Sequence, residues 1–595
     1  MLVSRWTSGS EPAVRWMVPA GSRFRRSNPS VWFVVLASLL LLLVSLSWAA
    51  LTPGFRAPDE VQHLNSVVRL AEGDGWPKPG DAFVREEVID ARELSGSTQD
   101  GKRTYLPGSV NGGPDSLRFA EVPPTGVAER ESLDGLDDEP TDTRSIDQMT
   151  QHPPGYYALA AVVYDAAQVG EWRYDRALFL LRALGALMIA VTVPVSCFVA
   201  ARELTGLEWA GRLAAFAPLL VPQLGFVGGS VTNDAAAIAV AAVLWAALLK
   251  VLCSGPSRRR LLVLGLAVAA ALWTKGTALS LIPGAFLAIP LAYRRSRGGA
   301  LRDWGRPAAV STGLVMAGAF VLGGWWWALN IVRFGSLQPA AYYTPQGAMS
   351  PLGIFEFAEI FARRIRQSFF GDIGLLEAPM PDWFTLSLLW VFLVLCGVGL
   401  LSRRRLGARL IILLGLGLTV GILFTTTYSA HLHTLNLPGL QGRYLFVLIV
   451  PLAALLAAGL VRIGRVARLS GVWLGGGVAA VGLVVALLGL GFGFRIYYVE
   501  PGRSWGDAVD LFLGWSPWSP IVIAGLLSSL VLCALALALL LGRVSALHEL
   551  GSVGQPVPAP YSTDRRPLSG TDEREASAGA EPASVPAGGL RHQQN

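Results

Sequence analysis

VWFVVLASLLLLLVSLSWAALTPGFRAPDEVQHLN, Val31 to Asn65, joins an unbroken apolar run to an acidic, histidine-bearing segment. The run Val31–Ala50 has the length of a membrane-spanning helix and exceeds the roughly 7 to 15 apolar residues of a cleaved leader. It therefore reads as a retained span. Ala57–Asn65, APDEVQHLN, then places Asp59 and Glu60 just beyond that span. An ionised carboxylate beside hydrocarbon is costly unless water, a partner or a substrate compensates it. Pro58 suits a first helical position, which would put Asp59 and Glu60 in the first turn, where the helix dipole favours negative charge. Asp59 and His63 share one face, while Val61, Leu64 and Val68 mark another, so the segment predicts an amphipathic helix on the outer membrane surface. A well-capped surface helix would carry the same pattern without any chemistry.

The rest of the chain agrees with a membrane setting. Hydrophobic residues make up 52% and charged residues 15%, and the mean hydropathy is +0.47, values of an integral membrane protein. Twelve apolar runs are candidate spans: Val31–Ala50, Ala177–Ala200, Leu213–Gly229, Ala235–Val251, Leu261–Trp273, Thr277–Tyr293, Ala308–Leu329, Phe384–Leu401, Leu410–Phe424, Tyr444–Val461, Val472–Phe494 and Ile521–Leu541. The fifth and ninth are short. With this count the arginine clusters Arg25/Arg26, Arg258–Arg260, Arg294–Arg297, Arg403–Arg409, Arg462–Arg468 and Arg543 fall on one side, which the positive-inside rule makes cytoplasmic, together with both termini. Leu51–Thr150 is then outside and holds 20 of the 42 acidic residues. The pI near 9.4 follows from this topology and is no argument for nucleic acid. Cys197, Cys253, Cys396 and Cys533 lie in or beside spans without CxxC spacing, which argues against disulfides and a thiolate metal site. Four lysines against 45 arginines, with abundant Ala and Gly, suggest a high-GC bacterial genome; the localisation expected of such a multi-pass chain is a bacterial plasma membrane.

The organisation predicted is an unstructured cytoplasmic tail over 1–30, a transmembrane domain over 31–541 that includes an outer loop 51–176, and a second unstructured cytoplasmic tail over 542–595. The long first loop is too large for a connector and should form an ordered layer. Gln151–Gly170 reads as a second surface helix, because counting it as a span would invert every later arginine cluster. Arg363, Arg364 and Arg366 in IFARRIRQSFFGDIG face outward against the rule, fitting either an anionic ligand or a snorkelling interfacial helix. No internal repeat, Walker loop or dinucleotide fingerprint is present.

Polar groups collect on the outer side: Asp59/Glu60/His63, His152 before Pro153, Asn233 and Asp234 in VTNDAAA, Lys275 in WTKGT, the arginines near Arg363, and Arg443 in LQGRYLF. Each has a plain structural reading. Thr232 or Asn233 can cap the fourth span, Lys275 can snorkel from a turn, and Arg443 can anchor a helix end. His431 and His433 have a spacing that binds metal in a strand or loop, but they lack a third ligand. Trp325 to Trp327 suit an interfacial aromatic belt. Taken together, two carboxylate sites can supply a base and a hydrogen-bond partner for an acceptor hydroxyl, while the cations stabilise a phosphate leaving group.

The succession PDEVQHLN, QHPPGYYAL, VTNDAAA, WTKGT, GWWWALNIVRFGSLQP, SFFGDIG and QGRYLF resembles the bacterial membrane proteins grouped as domain of unknown function 2142, which are similar to the GT-C class of glycosyltransferases. The resemblance covers Val31 to Leu541. It implies an all-α polytopic membrane protein with a large first extracytoplasmic loop, surface helices and a catalytic acid just after the first span. It also implies a polyprenyl-phosphate sugar donor in place of a nucleotide sugar. By position, Asp59 or Glu60 becomes the base and Asp234 the second acid. His63, His152, Asn233, Lys275 and Arg443 become substrate-binding groups, with Lys275 and Arg443 near the donor phosphate. Dependence on Mg or Mn varies across the class, so a divalent cation stays open. The expected reaction is inverting transfer of one sugar to an envelope glycan, glycolipid or protein. A transporter or flippase of lipid-linked saccharides is the alternative; it would call for charged residues and broken helices in mid-membrane.

Overall fold

The computed structural model describes residues 30–543 with side chains and 29 and 544–553 as backbone, apart from residues 108, 110–115, 137–144, 340–346, 348 and 501. The expectations for 1–28 and 554–595 lie outside the described residues. One compact unit extends to Ser545. In chain order its helices are α1 (Pro29–Leu51), α2 (Glu60–Ala71), α3 (Glu86–Leu94), α4 (Gly155–Ala166), α5 (Tyr174–Thr205), α6 (Glu208–Phe216), α7 (Pro222–Gly228), α8 (Asn233–Ser254), α9 (Arg258–Leu272), α10 (Ile282–Arg297), α11 (Leu301–Ala319), α12 (Trp325–Phe334), α13 (Ile354–Phe370), α14 (Asp382–Leu400), α15 (Leu406–Thr434), α16 (Ile449–Val466), α17 (Gly471–Tyr498), α18 (Trp505–Trp515) and α19 (Pro520–Val553). The last of these continues past Leu541, where an unstructured tail was expected to begin.

The protein is an all-α, multi-pass membrane protein. Among the described residues, ten of the twelve apolar runs are helices long and apolar enough to cross a bilayer. The third run is broken: α6 with its 3₁₀ extension and α7 meet at 76°, because Pro218 and Pro222 cannot donate backbone N–H groups to a continuous helix. The fifth, α9, has only 15 residues, about 22 Å of helix, yet it pairs with α8 and carries the chain back toward the start of that helix. The span α8 and the span Gly442–Val466 are each 78% buried, against 17% for Pro520–Arg543, so they form the centre and α19 the rim. Trp245 of α8 is fully buried and its Nε1 donates to Val447 O at 3.0 Å.

Where α14 meets α16, the contact is backbone on backbone. A Cβ on Gly459 would lie 2.0 Å from Leu395 O, and one on Gly399 would lie 2.2 Å from Leu455 O. Small residues allow such an approach between membrane helices.

The first long loop is an ordered layer, as its length requires. Here α2, α3 and α4 pack Leu64, Val67, Val88, Tyr156 and Tyr157 into a second core. Two antiparallel hairpins complete it, β1 (Thr98–Gln99) with β2 (Lys102–Arg103) and β3 (Asp372–Ile373) with β4 (Ala378–Pro379). The buried pair Arg56–Glu377, 3.2 Å apart, ties the loop to the second hairpin. α4 has 12 residues and is not among the helices long enough to cross a bilayer. α2 starts two residues later than the Pro58 signal suggested: Asp59 is its N-cap, with φ 62° in the left-handed region. A short polar side chain tolerates that conformation better than most residues do.

Gly459→Ala should destabilise the detergent-solubilised protein by about 1–3 kcal/mol through overpacking, lowering its thermal midpoint. An unchanged midpoint would show that α14 and α16 are not in backbone contact.

Candidate functional site

Glu60 and Asp59 are adjacent in sequence but have opposite surroundings. The Glu60 side chain is fully buried. Its Oε1 accepts from Arg182 Nε at 2.8 Å and from Val231 N at 3.0 Å, and its Oε2 accepts from Arg182 Nη2 at 2.7 Å. The remaining N–H groups of Arg182 go to Ala49 O at 2.9 Å, Thr52 O at 2.6 Å and Pro53 O at 2.9 Å. All five guanidinium donors are thus spent on Glu60 and on the exit of α1. The Asp59 side chain is 31% exposed and meets Arg443, whose Nη2 is 2.6 Å from Asp59 Oδ2. Gln148 Nε2 donates to the other oxygen at 3.5 Å.

Arg443 continues the chain of charges, with its Nε 3.3 Å from Asp234 Oδ2. Asp234 Oδ1 in turn lies 2.7 Å from Lys275 Nζ. Asp59, Arg443, Asp234 and Lys275 therefore alternate in sign, and the last three are almost fully buried. The ring of Tyr444 lies beneath both cations, 4.8 Å from Lys275 Nζ and 5.6 Å from Arg443 Cζ. Lys275 does not snorkel; burial pushes its ammonium below the usual range, with Asp234 opposing. Thr232 caps α8 through Asp234 N at 3.2 Å, so the capping reading holds for Thr232, while the Asp234 carboxylate has separate partners. Asn233 is fully buried and neither atom of its amide is bonded among the described residues. Groups of this kind are costly unless they are meant for a ligand or water.

Two histidines complete the site. His63 Nδ1 lies 2.9 Å from Tyr157 OH and Nε2 lies 3.3 Å from Thr232 Oγ1. His152 Nδ1 lies 3.4 Å from Gln338 Nε2, and Trp76 Nε1 donates to His152 O at 3.2 Å. Burial, then Lys275 and Arg443, hold His63 well below 6.5; burial, then Lys275, do the same to His152.

Asp59, His63, His152, Asn233, Asp234, Lys275 and Arg443 thus come together from α2, the stretch before α4, α8, the turn after α9 and the entry to α16. Glu60 lies behind them as a buried strut. The arginines of α13 do not join: Arg366 Nη2 pairs with Asp382 Oδ1 at 2.6 Å. His431 and His433 lie on the helix α15, where an i, i+2 pair points about 200° apart, and they do not form a ligand pair. His431 accepts from Leu352 N at 3.0 Å, and His433 Nδ1 lies 2.7 Å from Ser429 O. Of the tryptophans, Trp325 is exposed, whereas Trp327 is buried and donates to Leu272 O at 2.8 Å. Tyr157, Tyr444 and Arg182 were missed. Arg182 had a readable signal, a lone charge inside the apolar run FLLRALG.

Among the described residues no group of three His, Cys, Asp or Glu side chains could hold a metal ion. The two carboxylates of the site are already neutralised by Arg443 and Lys275, so the donor set does not suit Mg or Mn.

A family model described as "Predicted membrane protein (DUF2142)" matches residues 41–456, more than half of the 595-residue chain. The chain belongs to the DUF2142 family. Among solved structures this DUF2142 protein is similar to ArnT from Cupriavidus metallidurans bound to undecaprenyl phosphate, at 17% identity and a TM-score of 0.40, covering 84% of this chain and 77% of ArnT. For ArnT in the apo state the values are 17%, 0.39, 84% and 76%. No curated protein matches.

The depressed histidines set a pH dependence. Both rings are neutral in the fold, whereas the unfolded chain takes up protons at about 6.5, so stability present above pH 6.5 is lost as pH falls toward the folded values. The expected loss is about 1.4 kcal/mol per pH unit per histidine. Thermal midpoints from pH 7.5 to 5 should drop below pH 6.5 in the wild type and drop less in His63→Gln/His152→Gln. Equal slopes would place the charge uptake elsewhere.

Proposed function

We propose that this protein is an inverting glycosyltransferase that moves one sugar from a polyprenyl-phosphate carrier to a hydroxyl of an envelope glycan, glycolipid or protein. The observation that carries the reading is the alternating set Asp59, Arg443, Asp234 and Lys275 at one end of a membrane bundle, with Asp59 its accessible member. The arginine-rich end is then cytoplasmic and the site extracytoplasmic.

In the proposed step the acceptor oxygen attacks the anomeric carbon as the bond from that carbon to the phosphate oxygen breaks. The electron pair leaves with the polyprenyl phosphate and the acceptor proton passes to Asp59. Attack opposite the leaving group inverts the anomeric centre. Arg443 and Lys275 stabilise the charge developing on the phosphate in a dry setting. Asp234 positions both cations, the unpaired Asn233 amide and His152 offer hydrogen bonds to donor or sugar, and His63, bonded through both ring nitrogens, holds Tyr157 and Thr232 in place instead of the substrate contact expected of it. Because Arg443 is bonded to Asp59 before substrate arrives, a phosphate competing for that guanidinium frees the carboxylate to act as base. Glu60, pinned by Arg182, has no free oxygen for this role and is assigned to positioning. The transport alternative calls for charged residues and broken helices in mid-membrane; the break between α6 and α7 is of the second kind, whereas Arg182, the charge within α5, is wholly spent on structural bonds.

The test is transfer of radiolabelled sugar from a panel of synthetic polyprenyl-phosphate sugars by purified protein. Wild type should turn over at least one donor, and Asp59→Asn should lose about 10²–10⁴-fold in rate while remaining folded. Glu60→Gln should instead lower the thermal midpoint and retain turnover per folded molecule. Full turnover by Asp59→Asn would sink the mechanism.

A further inference from the structure

At the opposite end of the bundle from the charged site lies a cavity of about 560 Å³ lined by Arg294, Arg295, Arg404 and Arg405 together with Leu252 and Leu291. It lies where α8 and α10 end and α15 begins. Two of its arginines are fixed by helix-end carbonyls: Arg295 Nη1 donates to Leu252 O at 2.9 Å, and Arg405 Nη1 donates to Cys253 O. Arg294, Arg295 and Arg404 are exposed and Arg405 is half-buried. None of the four forms an ion pair among the described residues. Glu203, which acts electrostatically on Cys253 alongside Arg405, is engaged by Ser254 Oγ at 2.5 Å and by Arg202 at 3.7 Å. Nearby, Arg409 is 4% exposed; its Nε donates to Gly399 O at 2.9 Å and its Nη1 has no partner.

Positive-inside bias explains arginines at this end of the molecule but does not require them to converge. Four cations around one cavity repel one another unless an anion completes the set, and the planar guanidinium fork matches phosphate oxygens. Leu252 and Leu291 add an apolar wall beside the guanidinium groups, which a small soluble anion would leave unused. Basic pockets of this kind between membrane helices receive anionic lipid headgroups.

We propose that the cavity binds the phosphate-bearing headgroup of an anionic membrane phospholipid. This site is separate from the sugar-transfer reading and does not depend on it.

The protein is reconstituted in nanodiscs of phosphatidylcholine alone, phosphatidylcholine with graded cardiolipin, or phosphatidylcholine with inorganic pyrophosphate, and its thermal midpoint is followed. Cardiolipin should raise the midpoint of the wild type. Arg294→Gln/Arg404→Gln, which spares the two arginines bonded to helix-end carbonyls, should need about thirtyfold more cardiolipin for the same shift. Arg258→Gln/Arg259→Gln removes equal charge outside the cavity and should respond as the wild type does. No shift with cardiolipin, or an equal response from both double variants, would overturn the site. A full shift from pyrophosphate alone would overturn the lipid assignment.

Discussion

Arg182 and Glu60 form the constraint on which the candidate site depends. A guanidinium inside an apolar span is tolerable only because each of its five donors has an acceptor, and those acceptors come from the end of α1, the turn after it and the first residue of α2. Glu60 also takes the backbone N–H of Val231, just ahead of α8. One ion pair thus sets α1, α2, α5 and α8 in register. Breaking such a pair costs about 3–5 kcal/mol, chiefly because the abandoned charge stays buried. With Glu60 held, the preceding residue turns away from the core, and Asp59 meets Arg443 from a left-handed backbone conformation.

From that placement follows the electrostatic character of the site. Two carboxylates and two cations alternate at contact distance and cancel, which makes their burial tolerable. The neutral histidines add hydrogen-bonding capacity without disturbing the balance. A balanced set of this sort can exchange one partner for another: an incoming phosphate replaces Asp59 on Arg443 at small net electrostatic change. Under the proposed function, loading the donor and releasing the base would then be a single event.

Much of this was legible in the sequence, because bilayer thickness and the cost of charge in hydrocarbon act on composition directly. The twelve apolar runs correspond to helices of the bundle, and seven of the polar residues picked out from separate motifs meet at one place. What could not be read was which of two adjacent carboxylates is buried. That is decided by Arg182, more than a hundred positions away, and no local pattern encodes the contact. The fifth run forms a helix of only 15 residues, α9, packed along α8. The His431/His433 pair, already short of a third ligand, forms no metal site because a spacing suited to an extended strand lies on opposite faces of a helix. Arg366 resolves locally, on Asp382 at the start of the next span, so its outward charge calls for no ligand.

The claim that Asp59 and phosphate compete for Arg443 is tested most directly by the affinity of Asp59→Asn for polyprenyl phosphate, measured beside the wild type in the same bilayer. The account predicts tighter binding by the variant, by about tenfold or more, since a charge-assisted bond of about 1.5–3 kcal/mol no longer opposes the phosphate. Weaker or equal binding would contradict it, because Arg443 would then not be the group the two share.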